Sequence, residues 1–233
     1  MQNNDLAGYS SLKTAANGPA VGLAVDRSIA KRRATAQHEI DRLVSSALDI
    51  IRRTGRLEPT VSEILAEAGL SNQAFYRHFR SKHELLVAVL DQGIHGLAAY
   101  LRSRMELVES PSESIREWIR GMAAQATDPT GAKATRPFVL ARGKLAETFP
   151  AEVARSAAQL TAPLRSALEE AKRRGEMPEV LPEHDAEALY LLMMGFVEAR
   201  LLEGRIPESR ELLRLESFIL AGLTRGADSE LSS

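Results

Sequence analysis

Asn72, Gln73, Tyr76 and Arg77 are spaced so that an α-helix would carry them on one face. The carboxamides of Asn72 and Gln73 suit the edge of an adenine, and the methyl of Ala74 suits the methyl of a thymine. Tyr76, His78 and Lys82 suit phosphate oxygens. Thr60 and Ser71, which open the two neighbouring helices, complete the candidate set. These residue types in this order point to recognition of duplex DNA.

Side chains of this kind read bases only if a rigid element presents them. Thr60 and Glu63 form a capping box, in which hydroxyl and carboxylate each satisfy an orphaned backbone N–H. The helix they open buries Val61, Ile64, Leu65 and Ala68. Gly69 ends it, because glycine enters the left-handed conformation without steric conflict. Ser71 caps a short helix to about His78, with Leu70, Phe75 and Phe79 turned inward. Ser81 and Glu84 form a second capping box, whose helix offers first-turn N–H groups to a phosphate. A brace, a glycine turn and an outward polar helix make a helix-turn-helix.

The rest of the chain also reads as helix. An earlier helix carries Ile40, Leu43, Val44, Ala47 and Ile51 and stops at Gly55. A fifth helix starts at Ser110-Pro111, and further helices are expected over 131–145, 151–174, 183–203 and 208–224. Gly175 and Gly204 mark stops, and Pro163 predicts a kink or break. The fold class is all-α, with about nine helices. The expected organisation is a disordered arm over 1–26, a helix-turn-helix domain over 27–82, a helical domain over 83–226 and a flexible tail over 227–233.

The formal net charge is −1, yet eleven bases oppose six acids between Arg27 and Lys82. A basic segment beside an acidic remainder suggests two tasks in one chain. The run Lys31-Arg32-Arg33 is a candidate for phosphate or minor-groove contact, or a solvated helix start. There is no cysteine, which removes disulfides and thiolate chemistry. The longest apolar run, 188–197, is too short for a bilayer span, so a cytoplasmic location is expected. No nucleophile elbow, Walker loop, zincin or dinucleotide motif occurs, and the five histidines have no metal-ligand spacing. No catalytic residue, metal or cofactor is expected.

The stretch from Thr60 to Leu86 resembles the DNA-binding domain of the tetracycline-repressor (TetR) family. The resemblance lies at Ala68, Gly69, Leu70, Ser71, Tyr76, His78, Phe79, Ser81, Lys82 and Leu85. Two positions depart from the family pattern: Gln73, often glycine, and His83, often acidic. The resemblance implies a homodimer on a near-palindromic operator, with recognition helices roughly 34–36 Å apart. It also implies a small-molecule effector that releases DNA, and a repressor. The alternative is a helical adaptor without specific DNA binding.

Dimerisation is expected through Leu189, Met193 and Phe196 of one helix and Leu212, Leu215, Phe218 and Ile219 of the next, paired as a four-helix bundle. The effector pocket is expected among Leu97, Leu101, Trp118, Met122, Phe138, Tyr190 and Met194. His95, Gln125, Arg142 and Glu198 are the candidate polar contacts there.

Overall fold

A computed structural model describes residues 19–224. The expected tail over 227–233, and the expected arm as far as residue 18, lie outside the described residues. From Pro19 the expected arm is helical instead: α1 runs Pro19–Thr54 without a proline or glycine break after Gly22. Ten helices occur among the described residues, and no strand. After α1 come α2 (Val61–Ala68), α3 (Asn72–His78), α4 (Lys82–Met105), α5 (Pro111–Thr127), α6 (Pro129–Leu140), α7 (Arg142–Thr148), α8 (Pro150–Arg173), α9 (Pro182–Glu203) and α10 (Ser209–Thr224). Among the described residues no helix is long and apolar enough to cross a membrane.

Two compact units divide between Arg42 and Leu43, inside α1. The described part of the first unit is a single stretch of helix, exposed along most of its length. The second unit holds the end of α1 and all nine later helices.

In the second unit, α5 lies at the centre, packed on α4, α6, α8, α9 and α10. Its Ile115, Trp118, Ile119 and Met122 are buried among Leu101 of α4, Leu160, Leu164 and Leu168 of α8, and Leu189 and Met193 of α9. The Trp118 indole N–H donates to the Leu160 carbonyl at 2.9 Å, so the one polar atom of this fully buried ring is satisfied. Gly121 permits the close approach of α4: a Cβ there would stand 2.6 Å from the Leu101 side chain.

Two expectations need correction. The helix expected over 131–145 is two helices, because the chain leaves helical geometry at Ala141, where no side chain caps α7. Of the kink or break expected at Pro163, the break does not occur: α8 runs through it, with Leu160 and Leu164 buried before and after it in the chain. A lost N–H at one position is offset by burial around it.

Candidate nucleic-acid interface

The residues around Gly69 form a rigid corner. Thr60 Oγ1 accepts from the Glu63 N–H at 3.2 Å, and the Glu63 carboxylate accepts from the Thr60 N–H at 2.7 Å. Gly69 adopts φ 60°, ψ 39°, and its N–H caps the Leu65 carbonyl. The Leu70 N–H donates to that same carbonyl at 3.2 Å, which closes the turn. Ile64, Leu65 and Ala68 of α2 are buried, as are Phe75 and Phe79, and Leu70 is half-buried. Ser71 Oγ accepts from the Ala74 N–H at 3.2 Å and fixes the start of α3.

With one face of α3 held this way, Asn72, Gln73, Tyr76 and Arg77 stand on the other and are exposed. Tyr76 is 64% exposed, and its ring meets Phe75 edge-on at 5.1 Å between centroids. A buried aromatic therefore orients an exposed one, and limits the rotamers its phenol can take.

Ala74 does not join this face. It is 4% exposed, turned toward the interior with Phe75, so its methyl is not available to a thymine. The offset of one from Gln73 rotates it by about 100°. His78 is half-buried at the end of α3. Thr60 and Ser71 are exposed, though each hydroxyl is engaged as a cap.

The second capping box is only half formed. Ser81 Oγ accepts from the Glu84 N–H at 3.2 Å, but the Glu84 carboxylate accepts from the Arg80 N–H at 2.6 Å instead of that of Ser81. Lys82, the first residue of α4, is bonded to Glu58 at 3.0 Å. Glu58 sits below the usual carboxylate range because Lys82, and then Lys144, hydrogen-bond to it. Arg56 holds Glu63 at 2.6 Å and Arg53 holds Glu67 at 3.0 Å. Sequence counting of bases misses this pairing.

The residues expected to line a pocket are divided. Leu101, Trp118, Met122 and Tyr190 are buried in the main core; Leu97 and Met194 are half-buried against it, and Phe138 is half-buried. Burial pushes the Tyr190 phenol up, and of the polar candidates Arg142 lies near enough to oppose that shift in part. Gln125 accepts a hydrogen bond from Thr135, and His95 lies on the surface of α4. An open cleft of about 340 Å³ lies elsewhere, between α1 and α2, lined by Ile50, Arg53, Thr54, Glu63, Ala66 and Glu67.

The expected dimer residues are divided too. Leu189, Met193 and Ile219 are buried in the chain's own core. Phe196, Leu212 and Leu215 are half-buried against that core. Of the expected set only Phe218 is fully outward, at 72% exposure. The outward apolar residues of these helices are Leu191, Leu192 and Leu202 on α9, and Leu213 and Phe218 on α10. Helix α9 is apolar on both sides, so composition alone does not say which side faces inward.

Comparison with known proteins places this geometry in context. Residues 43–89 match the family described as bacterial regulatory proteins, tetR family. An uncharacterized HTH-type transcriptional regulator of Mycobacterium tuberculosis is 34% identical over 115 residues, which are 46% of this chain and 47% of that protein. The chain thus matches about half the length of this curated relative. Among solved structures, a TetR-family transcriptional regulator from Cytophaga hutchinsonii superimposes with a TM-score of 0.68 at 12% identity, over 81% of this chain and 96% of that one. The fatty acid degradation regulator FadR from Bacillus halodurans gives 0.62 at 18% identity, over 82% and 97%. FadR from Bacillus subtilis, solved in complex with stearoyl-CoA, gives 0.58 at 16% identity, over 79% and 97%. At these identities the likeness is one of fold.

Proposed function

We propose that this chain, which belongs to the tetR family of bacterial regulatory proteins, binds operator DNA through α3 and regulates transcription in response to a small molecule. The observation that carries this reading is the exposed face of Asn72, Gln73, Tyr76 and Arg77 on a helix capped by Ser71 and braced across Gly69. A polar face on a helix held at a fixed angle fits the major groove, where base edges are distinguishable. Gln73 reads a base edge, and Tyr76, Arg77 and Lys82 engage phosphates.

Two copies bind together, joined by the outward apolar faces of α9 and α10. Such a bundle removes exposed Leu191, Leu192, Leu213 and Phe218 from water. The effector enters the helical region around Tyr190, Met194, Phe138 and Arg142, where apolar side chains meet a cation. The B. subtilis FadR complex with stearoyl-CoA supports a ligand-responsive helical region in a protein of this fold. Effector binding releases the DNA, so the chain acts as a repressor.

The test is selection of bound fragments from a random duplex library by the full-length chain. A single preferred inverted repeat is expected. Gln73→Ala should change the preferred sequence, whereas Tyr76→Phe should weaken binding evenly across sites. A wild-type chain that enriches no sequence would overturn the reading.

A further inference from the structure

The positive charge available to a polyanion is not distributed as the sequence count implies. Between Leu43 and Lys82 there are six bases and four acids. Each of those acids holds a base of the same segment: Asp49 with Arg52 at 3.7 Å, Glu58 with Lys82 at 3.0 Å, Glu63 with Arg56 at 2.6 Å and Glu67 with Arg53 at 3.0 Å. Much of the basic character of the helix-turn-helix is therefore neutralised locally.

The first part of α1 is different. Residues 19–42 form roughly 36 Å of helix at the usual rise. Lys31, Arg32 and Arg33 are consecutive and exposed, and among the described residues no carboxylate lies within ion-pairing distance of any of them. The nearest acids along the chain are Asp26 and Glu39. Arg27 is exposed one turn earlier.

The direction of these charges favours one partner. Successive residues of a helix turn by about 100°, so Lys31, Arg32 and Arg33 spread over roughly 200° of the helix circumference. A flat anionic membrane is met by one apolar face with the bases on the opposite side. Here Arg32 and Arg33 flank the stripe of Val25 and Ile29, while Lys31 lies away from it. Charges spread around a helix suit a surface that surrounds it, such as the two phosphate walls of a DNA groove.

We infer that Arg27, Lys31, Arg32 and Arg33 bind phosphates of the duplex, a step that rests on the DNA-binding reading above. This binding is independent of sequence and supplies a large share of the affinity. An exposed single helix is marginal in water, so contact with DNA also firms the extension.

The experiment compares the full-length chain with its Lys31→Gln/Arg32→Gln/Arg33→Gln variant, since glutamine has a similar helix propensity. The probes are a mixed-sequence duplex of about 40 base pairs and the fragment selected by the wild-type chain, each across a salt series. The variant should show a slope of log K against log salt shallower by about 2–3 per protomer, and an affinity at about 0.1 M salt lower by tenfold or more. Its preferred sequence should be unchanged, and amides of residues 27–35 should gain exchange protection on DNA only in the wild type. Equal slope and affinity in the two proteins would overturn the inference while leaving α3 as the reader. So would loss of co-flotation with phosphatidylglycerol vesicles in the variant with no change in DNA binding. A wild-type chain that binds neither duplex would overturn both readings.

Discussion

Glu58, in the turn before α2, holds the ammonium of Lys82, the first residue of α4, at 3.0 Å. The same carboxylate lies 3.4 Å from Lys144 of α7, so one side chain ties the helix-turn-helix to a helix of the larger bundle. Lys82 is a candidate phosphate contact that the unbound protein keeps paired. DNA must compete with Glu58 for it. Glu58→Gln removes the competing charge and should raise affinity for duplex DNA at low salt. It should also steepen the salt dependence by about one phosphate contact. Salt-titrated binding measures both, and no change would mean that Lys82 does not touch DNA.

The capping box at Thr60 should persist in acid. Glu63 is held at about 2, first by the hydrogen bond from the Thr60 N–H, then by those from Arg56 and the Thr60 hydroxyl. A carboxylate depressed in the folded state contributes stability above its unfolded value, and that stability is lost as pH falls through the folded value. Glu63 should therefore stay ionised through pH 3–4, where ordinary carboxylates protonate, and release Thr60 only near pH 2. Carbon-13 titration of the side-chain carboxyl reads this directly. Arg56→Ala should raise the midpoint only in part, because the Thr60 N–H remains. A midpoint at the ordinary glutamate value would show that the box does not persist in solution.

The box, the glycine turn and the outward face of α3 were legible because each rests on residues close in sequence. Thr60 with Glu63, Gly69, and Ser71 before Asn72 are local signals with local causes. Ala74 was misread because small size suits both a groove and a helix contact, and only the packing beside Phe75 decides. Leu189 and Met193 are turned inward for a related reason: on α9, which is apolar on both sides, the inward side is set by α5 and α8. The division at Ala141 carries no glycine or cap to announce it. The pairing of Glu58 with both Lys82 and Lys144 spans up to 86 positions, beyond any motif.

Glu216 is 2% exposed, and its carboxylate accepts from Arg116 at 2.8 Å and from Arg120 at 2.9 and 3.0 Å. Arg120 continues to Glu117, which also holds Arg104 of α4. The chain of charges joins α4, α5 and α10. Removing the buried carboxylate takes away the counter-charge that the two guanidinium groups share and leaves Arg116 with Glu113 and Arg120 with Glu117. Full burial would make this a loss of roughly 3–5 kcal/mol. Both arginines reach solvent over about a third of their surface, so a loss nearer 2–3 kcal/mol is expected for Glu216→Ala. Glu216→Gln, which keeps acceptors in place, should lose less. Urea midpoints at constant slope test the order, and equal stability of Glu216→Ala and wild type would show that the network adds nothing.

Phe218 is the sharpest test of where a second copy binds. It is 72% exposed on α10. Because its ring packs on nothing central to the chain's own core, Phe218→Glu should leave helicity and the monomer's urea midpoint nearly unchanged. Burial of a phenylalanine stabilises by about 1.5–3 kcal/mol, and a two-fold interface counts it twice. Loss of both rings, replaced by facing carboxylates, should weaken dimerisation by more than about a hundredfold. Sedimentation equilibrium across micromolar concentrations should then show monomer where the wild type is dimer. The variant should also lose affinity for a DNA fragment carrying two half-sites far more than for one carrying a single half-site, because only the former needs both copies joined. An intact dimer in Phe218→Glu would move the interface away from α10. A wild-type monomer would remove the dimer altogether and leave each α3 to bind alone.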